Sequence, residues 1–186
     1  MKNFFHQTRW MMLLGVFIFL GLMPQGAYSQ GLASNSQQIA AMKVLNPGLK
    51  TIGVIGSTLS DKDLSDITRY GLGMGVEMVF ARPKDASEIA TLYKKMVADK
   101  KIQMVWIPDA NDKTMLDIGF EYLKDETLVD KIGLCVPKQE LTQSGALCSV
   151  YKEEGKVVVY VNKRIAAVLG IALPQEQSPS ITYVVR

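Results

Sequence analysis

Four short apolar runs, Thr51–Ile55, Val76–Ala81, Met104–Ile107 and Ile132–Val136, recur through the middle of the sequence, and helical periodicity fills the gaps after the first three. None of the four alternates polar with apolar residues. Such runs suit strands covered on both faces, the condition of a parallel sheet whose crossovers are helices. Between them, Ser60 is placed to cap a helix from Asp61 to about Gly71, with Leu64, Ile67 and Gly71 on one face. Asp85-x-x-Glu88 has the spacing of a capping box, and Ile89, Leu92, Tyr93, Met96 and Val97 follow at helical intervals. A third helix is read over Asn111–Lys124, with Met115, Ile118, Tyr122 and Leu123 inward. The expected fold is α/β: a three-layer, Rossmann-like sandwich with a mainly parallel sheet and right-handed connections.

The flanks are simpler. Gln37–Leu45 reads as a short helix stopped by Asn46-Pro47-Gly48, and residues 30–35 read as a linker. A fifth strand is expected over Ala146–Val150. The polar turn Tyr151–Lys156 then suggests a C-terminal β-hairpin pairing Leu147–Tyr151 with Val157–Val161. Asn162 can cap a short helix, Lys163–Leu169, ended by Gly170 and Pro174; Ile181–Val185 is either a terminal strand or a tail. Residues 36–186 thus form one domain.

The N-terminus follows a different logic. Lys2, His6 and Arg9 precede an apolar run of 14 residues, Trp10–Met23, and no acidic residue occurs before Asp61. Ala27 and Ser29 supply small residues at the −3 and −1 positions of a cleavage after Ser29, the layout of a secretory signal peptide over residues 1–29. The run is short of the roughly 20 residues a spanning helix needs. The expected protein is therefore periplasmic or otherwise exported, and touches a membrane only through a partner. Cleavage would shorten the chain from 186 to 157 residues and lower its net charge from +3 to +1, because Lys2 and Arg9 leave with the leader. The one histidine, His6, leaves too. Without it no Ser-His-Asp or Cys-His nucleophile and no imidazole-ligated metal site can be built, so neither an enzyme nor a cofactor or metal is expected. Lys94-Lys95 and Lys100-Lys101 lack interleaved aromatics, so they read as solvated charge and not as a nucleic-acid surface.

In a parallel α/β sheet, ligands sit outside the carboxyl ends of the strands. There the candidates are Gly56, Ser57 and Thr58 after the first strand and Asp109 and Asn111 after the third, with Asp112 close behind. Amides and hydroxyls of Gly56-Ser57-Thr58 could hold a carboxylate or small anion; the plainer reading is a strand–helix connection. Asp109 and Asn111 either contact a ligand's polar groups or cap the following helix. Trp106 either packs under the covering helices or stands at the cleft edge. Gly71-Leu72-Gly73-Met74-Gly75 leaves a helix and enters a strand, the reverse of a dinucleotide fingerprint, so it reads as a helix C-cap. Cys135 and Cys148, expected on neighbouring strands, either form a disulfide or remain buried thiols.

Several of these segments resemble a known family. Gln37–Lys50 with Thr51-Ile52-Gly53-Val54-Ile55 resembles the start of the C-terminal lobe of ABC-transporter periplasmic substrate-binding proteins. Trp106-Ile107-Pro108-Asp109-Ala110-Asn111 resembles their strand-to-loop motif at the ligand cleft, Gly145-Ala146-Leu147 their "GALA" turn, and Tyr160–Ile171 their closing "INLKTAKALGL" segment. The first lobe has no counterpart here, and neither does the helix after the "GALA" strand. Gly145–Ile171 also resembles the ending of YfiR-like periplasmic regulators of inner-membrane diguanylate cyclases. The first resemblance implies a solute-binding domain holding a small polar ligand at Gly56, Ser57, Thr58, Asp109 and Asn111, with a second chain, as in a homo-oligomer, as one source of an opposing wall. The second implies a regulator acting by contact with an inner-membrane signalling protein.

Overall fold

The computed structural model describes residues 31–173 and 181–185; the expected leader, its cleavage site and Pro174 lie outside the described residues. The order of elements is β1 (Gly31–Leu32), α1 (Asn35–Leu45), β2 (Thr51–Ile55), α2 (Asp61–Gly73), β3 (Glu77–Ala81), α3 (Ala86–Lys100) and β4 (Met104–Trp106). There follow a π-helical turn (Thr114–Gly119) running into α4 (Phe120–Val129), β5 (Gly133–Val136), α5 (Gln139–Gln143), β6 (Cys148–Glu153), β7 (Lys156–Val161), α6 (Lys163–Val168) and β8 (Ile181–Val185). The strands form one mixed, mainly parallel sheet in the order β3-β2-β4-β5-β6-β7-β8. Pairs β2–β3, β2–β4, β4–β5, β5–β6 and β7–β8 are parallel, and the β6–β7 hairpin is antiparallel.

Each strand gives alternate residues to two cores. Ile52, Val54, Met104 and Trp106 pack with Ile39, Met42 and Leu45 of α1, Ile67 of α2 and Ala166 of α6. Val105, Ile107, Leu134 and Val136 pack on the other face with Ile89, Tyr93 and Met96 of α3 and Phe120 and Leu123 of α4. These layers are the sandwich expected from the continuous apolar runs.

Local signals set the helix ends. Ser34 and Ser60 each accept from the third residue of their helix while Gln37 and Asp63 reach back, two complete capping boxes. Asp85 caps α3 through the Ser87 amide, but Glu88 accepts from the Lys84 amide, so the expected box is only half made. At the end of α2, the Val76 amide donates to Gly71 O (2.9 Å) and the Gly75 amide to Leu72 O (3.1 Å), with Gly75 at φ +67°. This is the Schellman geometry, which confirms the glycine-run C-cap.

Three elements depart from the sequence reading. Part of the segment read as a linker is structured, because Gly31 and Leu32 pair antiparallel with Lys152 and Tyr151 beyond the end of β5. The short helix α5 has no expected counterpart. The third helix begins later and with a π turn, which shifts its phase: Met115, Leu116, Gly119, Phe120 and Leu123 turn inward and Ile118 is left 59% exposed, not buried as its spacing suggested. The tail alternative for Ile181–Val185 is settled as a strand, paired residue for residue with Val157–Val161.

Candidate functional site

Sheet growth changes direction between β2 and β4. From β2 the chain passes through α2 to β3 on one side; β4, on the other, leads outward to β5. The helices that follow β2 and β4 pack on opposite faces, so their loops diverge and leave a crevice at the carboxyl ends of these two strands. In open α/β sheets this is where ligands bind. Both candidate loops meet there.

The geometry inside the crevice is specific. Asp112 is 1% exposed. Its Oδ2 accepts the Ser57 amide (2.6 Å), and its Oδ1 accepts Ser57 Oγ (2.6 Å) and the Met115 amide (3.1 Å). Asp109 Oδ2 accepts Thr58 Oγ1 (2.8 Å), while its Oδ1 accepts the Asn111 amide (2.8 Å) in a turn of its own. The Gly56 amide donates to Ala81 O at 3.2 Å, as part of the sheet. Ser57 and Thr58 therefore do bind carboxylates, and they belong to Asp112 and Asp109. Neither Asp109 nor Asn111 caps the following helix; Asp112 does, and at the same time ties the β2–α2 loop to the β4 loop. Its place three residues before Met115, where the apolar helical run begins, is the N-cap spacing that marks it in the sequence. Asn111 is exposed.

Trp106 does not stand at the cleft. It is fully buried, and its Nε1 donates to Gln38 Oε1 on α1 (3.0 Å), whose amide nitrogen in turn donates to Ala33 O (2.8 Å). A buried indole and a buried amide thereby satisfy one another.

Outside the latch lies a cleft of about 180 Å³, lined by Thr58, Leu59, Asp63, Pro108 and Asp109 with Leu32 and Asn35 from the N-terminal side. Its charged side chains are both acidic. Asp63 is held below the usual carboxylate range by hydrogen bonds from the Ser60 hydroxyl and amide, so it stays ionised. A second cleft of about 220 Å³ lies across Leu32, bounded by Ala110, Pro137, Lys138, Glu140 and Tyr151. Among the described residues no group of three or more His, Cys, Asp or Glu side chains is arranged to hold a metal, and no helix is long and apolar enough to cross a membrane. Cys135 and Cys148 are both buried thiols.

No protein-family profile matches the sequence, and comparison with curated proteins gives no match. Solved structures do match. One, an ABC domain in complex with L-Trp from Streptococcus pneumonia, superimposes with a TM-score of 0.66 at 20% identity, over 82% of this chain and 62% of that one. A conserved domain protein from Vibrio cholerae gives 0.66 at 17% identity, over 84% and 61%. The ligand-free, open form of a substrate-binding protein with adhesive properties from Clostridium difficile gives 0.63 at 18% identity, over 82% and 60%. The chain spans about three-fifths of the length of these structures. Over most of its length the chain shares the fold of the matched part of these structures, a substrate-binding protein among them.

Proposed function

We propose that this chain is an exported, non-enzymatic solute-binding domain that takes a small polar ligand bearing an amine at the carboxyl edge of β2 and β4. The observation that carries the reading is the acidic cleft at the switch point. The Ser57 amide and hydroxyl and the Thr58 hydroxyl are taken up by Asp112 and Asp109, and the charged side chains that line the cleft are carboxylates, Asp63 and Asp109. A carboxylate cleft recognises an ammonium or other hydrogen-bond donors. The L-Trp in the Streptococcus complex is a ligand of that class.

The test is ligand-induced thermal stabilisation across a panel of amino acids, primary amines and dicarboxylates. A ligand at 100 times its Kd stabilises the native state by about 2.7 kcal/mol. Amines or amino acids should raise the melting temperature of the wild type, dicarboxylates should not, and Asp109→Asn should weaken the effect at least tenfold in ligand concentration. A panel with no effect on the wild type removes this reading. Export is tested separately: N-terminal sequencing of the protein from envelope fractions should begin at Gln30.

The closed latch favours a second reading. A switch-point crevice shut by the chain's own carboxylates suits a domain that works through its surface, as a regulator bound to an inner-membrane signalling protein. Recovery of one such protein with the mature chain as bait, together with an inert ligand panel, would favour it.

A further inference from the structure

We propose that Cys135 and Cys148 are a redox pair that closes into an intrachain disulfide, stapling β5 to β6 by exchange with the disulfide of a dithiol oxidoreductase. They are the only cysteines in the chain. Cys135 and Cys148 are register partners on adjacent parallel strands. Neighbouring strands lie about 4.8 Å apart, inside the Cα separation of about 4.4–6.8 Å that a disulfide accepts. Both side chains point into the same core, beside Trp106 and Leu147, while Leu134 and Val136 point to the other. The pair therefore satisfies Cα separation, direction and register together, and the bond forms when the two Cβ atoms approach to within about 4.5 Å.

The chemistry balances through exchange. The thiolate of one cysteine attacks the incoming disulfide and expels one of its sulfurs as a thiol; the second cysteine then attacks the mixed disulfide and releases the other. Two S–H bonds are lost and one S–S bond is gained, and the incoming disulfide leaves reduced, carrying two electrons and two protons. Both cysteines are fully buried, and contact with Cys148 together with burial holds the Cys135 thiol protonated. The folded protein is thus a poor substrate in either direction. The bond must form before β6 completes its docking on β5, and once enclosed it resists reductant. It would close a short loop carrying α5, and it would fix β6, the strand on which β1 lies beside the candidate cleft.

The experiment refolds the full-length chain from denaturant with oxidised glutathione, or with reductant, then alkylates it under denaturing conditions and weighs it. After oxidative refolding no alkyl group should be taken up and the mass should be lower by about 2 Da. The oxidised form should melt about 5–10 °C higher than the reduced one. Cys135→Ala should show no difference between the two refolding conditions, and the oxidised wild type should keep its bond in native buffer with reductant. Two alkylated thiols per chain after oxidative refolding, or a disulfide between chains on a non-reducing gel, overturns the proposal; so does a bonded form no more stable than the reduced one. If Cys135→Ala does not fold, the thiol count on the wild type decides.

Discussion

Asp112 is the residue on which the site depends most. A buried carboxylate accepting three hydrogen bonds, two of them from Ser57 on another strand's loop, cannot be truncated without stranding its donors. Asp112→Ala should cost about 3 kcal/mol in denaturant unfolding, against about 1 for Ser57→Ala. The double variant should cost clearly less than the sum, because the two side chains share one interaction. Full additivity would show that the latch carries no coupling. The sequence located every member of this cluster but not its wiring. Gly56, Ser57, Thr58, Asp109 and Asn111 can be picked out from their place after strands. That Asp112 answers Ser57 across 55 positions follows from β2 and β4 becoming neighbours, and no local pattern records that pairing.

At the scale of elements, helix ends and helix–sheet contacts follow simple rules, with informative exceptions. α4 ends in a Schellman turn like that of α2, with the Ile132 amide on Thr127 O (2.8 Å), yet the left-handed position at φ 55° is held by Lys131. A lysine there bears a cost glycine does not. Lys131→Gly should therefore raise unfolding stability by about 0.5–1 kcal/mol; a loss would mean that the lysine side chain contributes something larger. Gly71 presents the opposite case. A methyl group there would lie 2.7 Å from Met78 Cγ and 2.8 Å from the Val76 carbonyl oxygen, because α2 presses directly on the start of β3. Gly71→Ala should destabilise by about 1–3 kcal/mol despite its better helix propensity, and a stabilised variant would refute that contact. The sequence placed Gly71 on the packing face of this helix with Leu64 and Ile67, as observed, but not how little room the contact leaves. The same limit explains Ile118: 3.6-residue spacing assumes an unbroken α-helix, and the π turn over 114–119 advances the phase by a residue.

For the whole molecule, the response to alkali is a test of how the layers are joined. Tyr93 of α3 donates to Asp130 at the end of α4 (2.7 Å) and stacks edge-on with Tyr122. Burial, and then the Asp130 hydrogen bond, push the Tyr93 phenol well above the usual tyrosine value of 10.0, and burial raises Tyr122 as well. A pKa raised in the folded state contributes stability that is complete below the unfolded value and lost as pH rises above it. The melting temperature should thus hold steady as pH rises to about 9 and fall steeply beyond 10. Tyr93→Phe should shallow that fall while costing about 1 kcal/mol at neutral pH; an unchanged alkaline slope would remove Tyr93 from the account.

The sequence by itself determined the layered α/β architecture, most helix caps, the hairpin and the strand ends on which candidate residues sit. Those features depend on periodicity, capping and turn chemistry, which act within about a dozen residues. Tertiary structure alone decided the strand order beyond the hairpin and the pairing of the two cysteine strands, above all that β2 and β4 became neighbours. With that it decided that Asp112 and Asp109 would answer Ser57 and Thr58, that Gln38 would meet Trp106, and that Cys135 and Cys148 would stand in direct register. Strand order is a property of the packed sheet, and contacts between residues far apart in the chain are created by it. The candidate ligand site changed character on that account, from a loop of free donors to a latched crevice whose open side is acidic.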